Sequence, residues 1–188
     1  MVPCVFLDRD GVIVVPHFRE GRSFAPRKLE EFHIYPQARE SLARLKSAGF
    51  VVAVVSNQPD VGNGLIEERV LSIMHERLTR ALPIDAVKVC THRQNEYCAC
   101  RKPKPGMILD LARELDLDLA QSFMVGDRAS DVEASLAAGC TPIFIDHGYS
   151  EPGPNAKTRR VRSIAEAVDA ILEIVSKDRS RQWAASAI

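Results

Sequence analysis

Residues 2–7 form an almost wholly apolar run that breaks abruptly into Asp8-Arg9-Asp10-Gly11. Such a run predicts a strand buried on both faces, delivering polar residues at its carboxyl end. Residues 37–48 then carry apolar positions at helical spacing, Ala38, Leu42, Leu45 and Ala48, and Gly49 stops them. A second buried strand follows at 50–55. The alternation continues with a helix over 66–81, a strand at 86–90, a helix over 106–115 and a strand at 122–125. A helix over 131–138 and a strand at 141–145 complete it. Short buried strands alternating with amphipathic helices predict an α/β fold, a doubly wound and mostly parallel sheet with helices on both faces. Beyond a breaker cluster at 150–155, one more amphipathic helix is expected over 164–175. Residues 177–188 lack an apolar face and end in small residues, so a flexible C-terminal tail is expected there.

The length of 188 residues suits a single domain, expected over residues 1–176. Charge narrows the partners: 25 Lys plus Arg balance 25 Asp plus Glu, which leaves no net field to attract a polyanion or an acidic membrane surface. No nucleic-acid partner is expected. No apolar run approaches the roughly 18 residues of a membrane span, and the first residues lack the basic-then-apolar pattern of a secretory signal. A cytoplasmic protein without a membrane partner is the expectation, and with no large apolar surface pattern, a monomer. Of the five cysteines, Cys90, Cys98 and Cys100 crowd around His92, which suits a metal better than a disulfide framework. Three thiolates and an imidazole can fill all four positions of a tetrahedral zinc ion, so this loop, residues 90–100, is expected to hold structural Zn²⁺. Cys4 and Cys140 sit in or beside apolar strands and are expected in the core.

Four polar clusters fall at ends of expected strands. Asp8 and Asp10, two residues apart, allow a division of labour in which one carboxylate attacks phosphorus and binds a hard cation while the other handles protons. Ser56, Asn57 and Gln58 end the second strand with a hydroxyl and amides able to hold phosphoryl oxygens. Arg101-Lys102-Pro103 offers cations on a stiffened backbone. Gly126-Asp127-Arg128-Ala129-Ser130-Asp131 ends another strand; Asp127 suits Mg²⁺, and Asp131 suits either a cation or the first turn of a helix.

In order and placement these four clusters resemble the haloacid dehalogenase superfamily of aspartate-nucleophile phosphatases, over roughly residues 2–145. The resemblance implies Asp8 as nucleophile and Asp10 as general acid/base. It further implies Mg²⁺ held by Asp8, Asp127 and the Asp10 carbonyl, and a transferring phosphoryl group bound by Ser56 and Lys102. Residues 9–55 and 57–101, the two intervals between these motifs, are too short for a large cap domain, so an open site for a small phosphorylated metabolite is expected.

The zinc loop placed directly before Arg101-Lys102-Pro103 resembles the subgroup that contains heptose bisphosphate and histidinol-phosphate phosphatases. Arg101-Lys102-Pro103-Lys104-Pro105-Gly106-Met107 looks more like the heptose enzymes, whereas Gly126-Asp127-Arg128-Ala129-Ser130-Asp131 is closer to the histidinol-phosphate enzymes. The former is the expected activity, release of the C7 phosphate of a heptose 1,7-bisphosphate; the latter is the alternative. Arg9, Asn57, Gln58, Arg101 and Arg128 are then expected at the phosphate or substrate, with Arg101 at the distal phosphate. Pro59-Asp60-Val61-Gly62-Asn63-Gly64 departs from the heptose pattern, which has an arginine there, as does the early loop around His17, Phe18 and Arg19. Arg19 and Arg22 are candidate replacements.

Overall fold

The computed structural model describes residues 1–186. Its centre is a six-stranded sheet of β1 (Cys4–Leu7), β4 (Val51–Asn57), β5 (Ala86–Cys90), β6 (Phe123–Gly126), β7 (Thr141–Ile145) and β8 (Arg159–Val161). The order across the sheet is β5-β4-β1-β6-β7-β8, and every neighbouring pair is parallel. The chain therefore winds outward from β1 in one direction, returns, and winds outward from β6 in the other. The reversal falls between β1 and β6, the place where ligands settle in open α/β sheets. Asp8 and Asp127 leave the sheet on either side of it.

Alternation along each strand sorts the core into two layers. Val5 and Leu7 of β1 face one layer, with α1 (Ala38–Ser47), α3 (Glu68–Ala81) and α6 (Ile164–Ser186); Cys4 and Phe6 face the other, with α4 (Gly106–Glu114) and α5 (Ala129–Ala138). Helix α1 buries Ala38, Ser41, Leu42 and Leu45, one stripe at helical spacing. Each fully buried Leu, Ile or Phe contributes about 1.5–3 kcal/mol from this layering. Cys4 and Cys140 lie in the core as expected. No helix among the described residues is long and apolar enough to cross a membrane.

Four features differ from the sequence reading. Residues 14–32 are not plain loop: β2 (His17–Arg19) and β3 (Arg22–Phe24) pair antiparallel around Glu20-Gly21, both at positive φ, 50° and 75°. That two-residue turn matches strand twist, and glycine takes its second position without strain. Strand β8 is an edge strand whose Arg159 and Arg160 are exposed and only Val161 buried, so it carries no apolar alternation to read. Helix α6 continues to Ser186 instead of ending near Val175; of the expected tail, 187–188 lie outside the described residues. The interval between β4 and β5 holds a short helix, α2 (Pro59–Gly62), besides α3.

Candidate active site

Asp8 follows β1, where its backbone N–H donates to Val125 O at 2.9 Å and so ties the β1 end to β6. Its Oδ1 accepts from the Arg9 N–H at 2.8 Å and lies 3.0 Å from Lys102 Nζ. Lys102 is 3% exposed, and its ammonium has three partners: Asp8 Oδ1, Asp131 Oδ1 at 2.6 Å and the Val55 carbonyl at 2.8 Å. Burial works against that charge, but Asp131 and Asp8 outweigh it, and Lys102 titrates above its ordinary value. Asn57, at the end of β4, fixes the lysine's backbone: its amide donates to Lys102 O and accepts from Lys102 N–H, each at 3.0 Å.

Asp131 is the third residue of α5, and its Oδ2 accepts from the Arg128 N–H at 3.0 Å. It thus takes the first-turn helix role that its position allowed, and it also anchors Lys102. Asp127, at the β6 end, is 2% exposed and stands with Asp8 and Asp131 so that their oxygens lie within 4.8 Å of one another. Burial, then Asp8 and Asp131, push its carboxyl well above the usual range. One oxygen, Oδ2, accepts from the Tyr149 hydroxyl at 2.7 Å; the other, Oδ1, is buried without a partner. Three buried carboxyl groups share one ammonium, and that crowding is what raises Asp127. An orphaned oxygen in a buried cluster of carboxyl oxygens fits a hard divalent cation such as Mg²⁺, whose charge would bring the carboxylates out.

Asp10 points to the cleft with 14% of its side chain exposed. Arg9 braces it through Nε, 3.1 Å from both carboxylate oxygens, and through NH2, 2.8 Å from Oδ2, while Gln58 Nε2 donates to Oδ2 at 2.8 Å. Gln58 also accepts from Arg9 at 2.9 Å and donates to Ser56 Oγ at 3.0 Å. Behind them Arg9 NH1 meets His75 Nε2 at 3.3 Å. Burial and the guanidinium push His75 down to about 4, so it stays neutral and accepts.

Three residues expected at the substrate are held by these contacts, and two of them, Asn57 and Gln58, also line the cleft beside Asp8 and Asp10. Arg9 is fully buried among Asp10, Gln58 and His75; Gln58, 2% exposed, and Asn57 have their amides engaged by Asp10, Ser56, Arg9 and Lys102. Crowded polar groups at a strand end must satisfy one another when water is excluded, so Arg9 and Gln58 brace Asp10 while Asn57 braces Lys102. One cleft of about 640 Å³ is lined by Asp8, Asp10, Arg101, Lys102 and Arg128, with Arg22 and Leu65; Ser56 and Asp127 lie buried outside its lining. Arg101 NH1 is buried there without a hydrogen-bond partner. Arg128 clamps the hairpin, donating to Ser23 O at 2.7 Å and Oγ at 2.8 Å, and pairs with Glu151. His17 pairs with Glu31 at 3.2 Å, and like Arg19 it lines a separate hollow.

The zinc candidates also converge. Donors around a tetrahedral zinc, with Zn–S near 2.3 Å and Zn–N near 2.0 Å, stand about 3.5–3.8 Å apart. Cys90 Sγ lies 3.7 Å from Cys98 Sγ and 3.4 Å from His92 Nδ1, and Cys100 Sγ lies 3.3 Å from the same nitrogen. Burial pushes the Cys90 thiol up to about 12, so only a cation beside it brings out a thiolate at neutral pH. The donor set fits Zn²⁺. Cys90 ends β5, and the loop rejoins the fold at Gly106, where a Cβ would stand 2.3 Å from Ala99 O.

Sequence reasoning missed Tyr149 and His147, which lie beyond β7 and reach back to Asp127 and Gly11. The signal available was a further strand end followed by polar residues, Asp146-His147-Gly148-Tyr149.

A family model described as HAD-hydrolase-like matches residues 99–173. The chain belongs to this haloacid-dehalogenase-like family and is a phosphatase of it. It is 32% identical over 179 residues, 90% of this chain and 97% of the relative, to the D-glycero-beta-D-manno-heptose-1,7-bisphosphate 7-phosphatase of Bordetella bronchiseptica. It is 36% identical over 153 residues, 76% of this chain and 78% of the relative, to the D-glycero-alpha-D-manno-heptose-1,7-bisphosphate 7-phosphatase of Mycobacterium tuberculosis. The crystal structure of the B. bronchiseptica enzyme complexed with magnesium and phosphate superimposes with a TM-score of 0.78 at 31% identity, covering 91% of this chain and 98% of that one.

Proposed function

We propose that the chain removes the C7 phosphate of a D-glycero-D-manno-heptose 1,7-bisphosphate through an aspartyl-phosphate on Asp8. The observation that carries this reading is the buried Asp8–Lys102–Asp131 array beside the orphaned Asp127 Oδ1, with Asp10 braced at the cleft floor. Ser56 and Lys102 hold the phosphoryl oxygens, and the Asp8 carboxylate attacks phosphorus in line with the leaving oxygen. Asp10, in its protonated form, gives its proton to the departing C7 oxygen. It then takes a proton from the water that attacks the phosphorus of the aspartyl-phosphate, which regenerates Asp8 and frees phosphate. Mg²⁺ held by Asp8, Asp127 and the Asp10 carbonyl would supply the positive charge that lets an anion approach a phosphate dianion.

Arg101, with an unpartnered guanidinium nitrogen in the cleft wall, takes the distal C1 phosphate, and Arg22 and Arg128 line the approach. Zn²⁺ on Cys90, His92, Cys98 and Cys100 is structural: it holds rigid the loop from which Arg101 and Lys102 emerge. Phosphate release with Mg²⁺ from the alpha and beta anomers of the heptose bisphosphate and from histidinol phosphate, side by side, tests the reading. A preference for one heptose anomer, with ³¹P NMR showing the C1 phosphate retained, is expected; a preference for histidinol phosphate would overturn the assignment of substrate.

A further inference from the structure

Tyr149 does not touch the cleft floor, yet it holds the carboxylate that faces the orphaned position. Its hydroxyl donates to Asp127 Oδ2 at 2.7 Å, which occupies that oxygen and leaves Oδ1 as the free one. The neighbouring His147 Nε2 stands 2.7 Å from the Gly11 carbonyl; since a carbonyl only accepts, Nε2 carries the hydrogen and donates. Gly11 closes the circle. It lies at φ +83°, and a Cβ on it would stand 2.0 Å from Asp127 Oδ2 and 3.1 Å from the Tyr149 hydroxyl.

The loop after β7 thus grips both sources of cation ligands at once, Asp127 through Tyr149 and the Asp10-Gly11 turn through His147. The Tyr149 ring is itself wedged by Phe18 of the hairpin at 5.8 Å, by His147 at 5.4 Å and by the Arg128 guanidinium at 6.0 Å.

We propose that Tyr149 is a positioning residue for the divalent cation: its hydrogen bond to Asp127 Oδ2 aims Oδ1 at the ion, and His147 holds the Asp10-Gly11 turn opposite. The inference rests on the reading of Asp127 as a cation ligand. Partners that orient a metal's ligands raise affinity by fixing their direction, and removing one lowers affinity about 10- to 100-fold. The low end applies here, because a single hydrogen bond to one oxygen is lost.

The test is Mg²⁺ binding to the zinc-loaded protein by titration calorimetry, comparing wild type, Tyr149→Phe and Asp127→Asn. Tyr149→Phe keeps the ring and its packing, and a matched thermal unfolding curve checks the fold. A Kd for Mg²⁺ raised about tenfold in Tyr149→Phe, with phosphate release lost at limiting Mg²⁺ and recovered as Mg²⁺ is raised, is the expected result. If Asp127→Asn abolishes binding while Tyr149→Phe binds as wild type, the positioning role falls and the cation site stands. If Asp127→Asn binds Mg²⁺ as wild type, the cation reading fails and the inference with it.

Discussion

Replacing Lys102 by Met removes one nitrogen from a site where three acceptors converge: Asp8 Oδ1 at 3.0 Å, Asp131 Oδ1 at 2.6 Å and Val55 O at 2.8 Å. Length and apolar stem are conserved, so packing changes little and the effect is electrostatic. Breaking a buried ion pair by deleting one partner typically costs about 3–5 kcal/mol. The low end applies, because the stranded carboxylates escape part of the penalty by taking up a proton. For a chain of this size about 3 kcal/mol lowers Tm by roughly 6–12 °C. The pH dependence has a definite sign. Burial already raises Asp131 and Lys102 opposes it, so without Lys102 the Asp131 pKa climbs further above its unfolded value. A raised carboxyl destabilises the folded state above its folded pKa, and that penalty fades as pH falls through it. The Tm gap between variant and wild type should therefore be widest at alkaline pH and narrow as pH falls. Loss of the phosphoryl-binding ammonium should lower kcat/KM about 10²–10³-fold. Calorimetric Tm across pH and steady-state phosphate release measure both. A variant as stable as wild type at pH 8 with intact kcat/KM would refute the reasoning.

Two other perturbations have definite expected outcomes. His75 is held near 4 against an ordinary 6.5, so the folded state binds fewer protons between those values and stability falls on acidification through that window, by on the order of 2 kcal/mol. His75→Gln should flatten that part of the Tm–pH curve, and an unchanged profile would remove His75 as its cause. Stripping zinc should expose residues 90–100 to amide exchange, lower Tm by about 10 °C and impair activity that added Mg²⁺ does not restore. Full stability and activity after chelation and Mg²⁺ reloading would end the structural role given to the Cys90, His92, Cys98 and Cys100 set.

The sheet was legible because its inner strands are nearly uninterrupted apolar runs, and a strand buried on both faces has to be written that way. Asp8 and Asp127 stood out as candidates because an apolar strand ends at each, and Asp10 because it lies two residues past the first. What the sequence concealed depends on partners distant in the chain. Arg9 stands between two candidate acids and reads as a cation for substrate; only the fold shows that Gln58 and His75 enclose it. Asn57 likewise reads as a donor at a strand end until Lys102, in another loop, takes both ends of its amide. Strand β8 is two arginines and a valine at a sheet edge, where no alternation is required, and the β2–β3 hairpin depends on a Glu-Gly turn rather than on apolar pattern. Helix α6 outruns its apolar stripe, so periodicity placed its end too early.

The central claim is that Asp8 carries the phosphoryl group, and an acyl-phosphate can be caught chemically. Enzyme turning over the heptose bisphosphate is quenched into borohydride, which reduces an aspartyl-phosphate to homoserine, and the peptides holding Asp8 and Asp10 are sequenced by mass spectrometry. The account predicts homoserine at position 8, dependent on substrate and absent from Asp8→Asn. Homoserine at position 10 instead, or steady turnover with none at position 8, would contradict it.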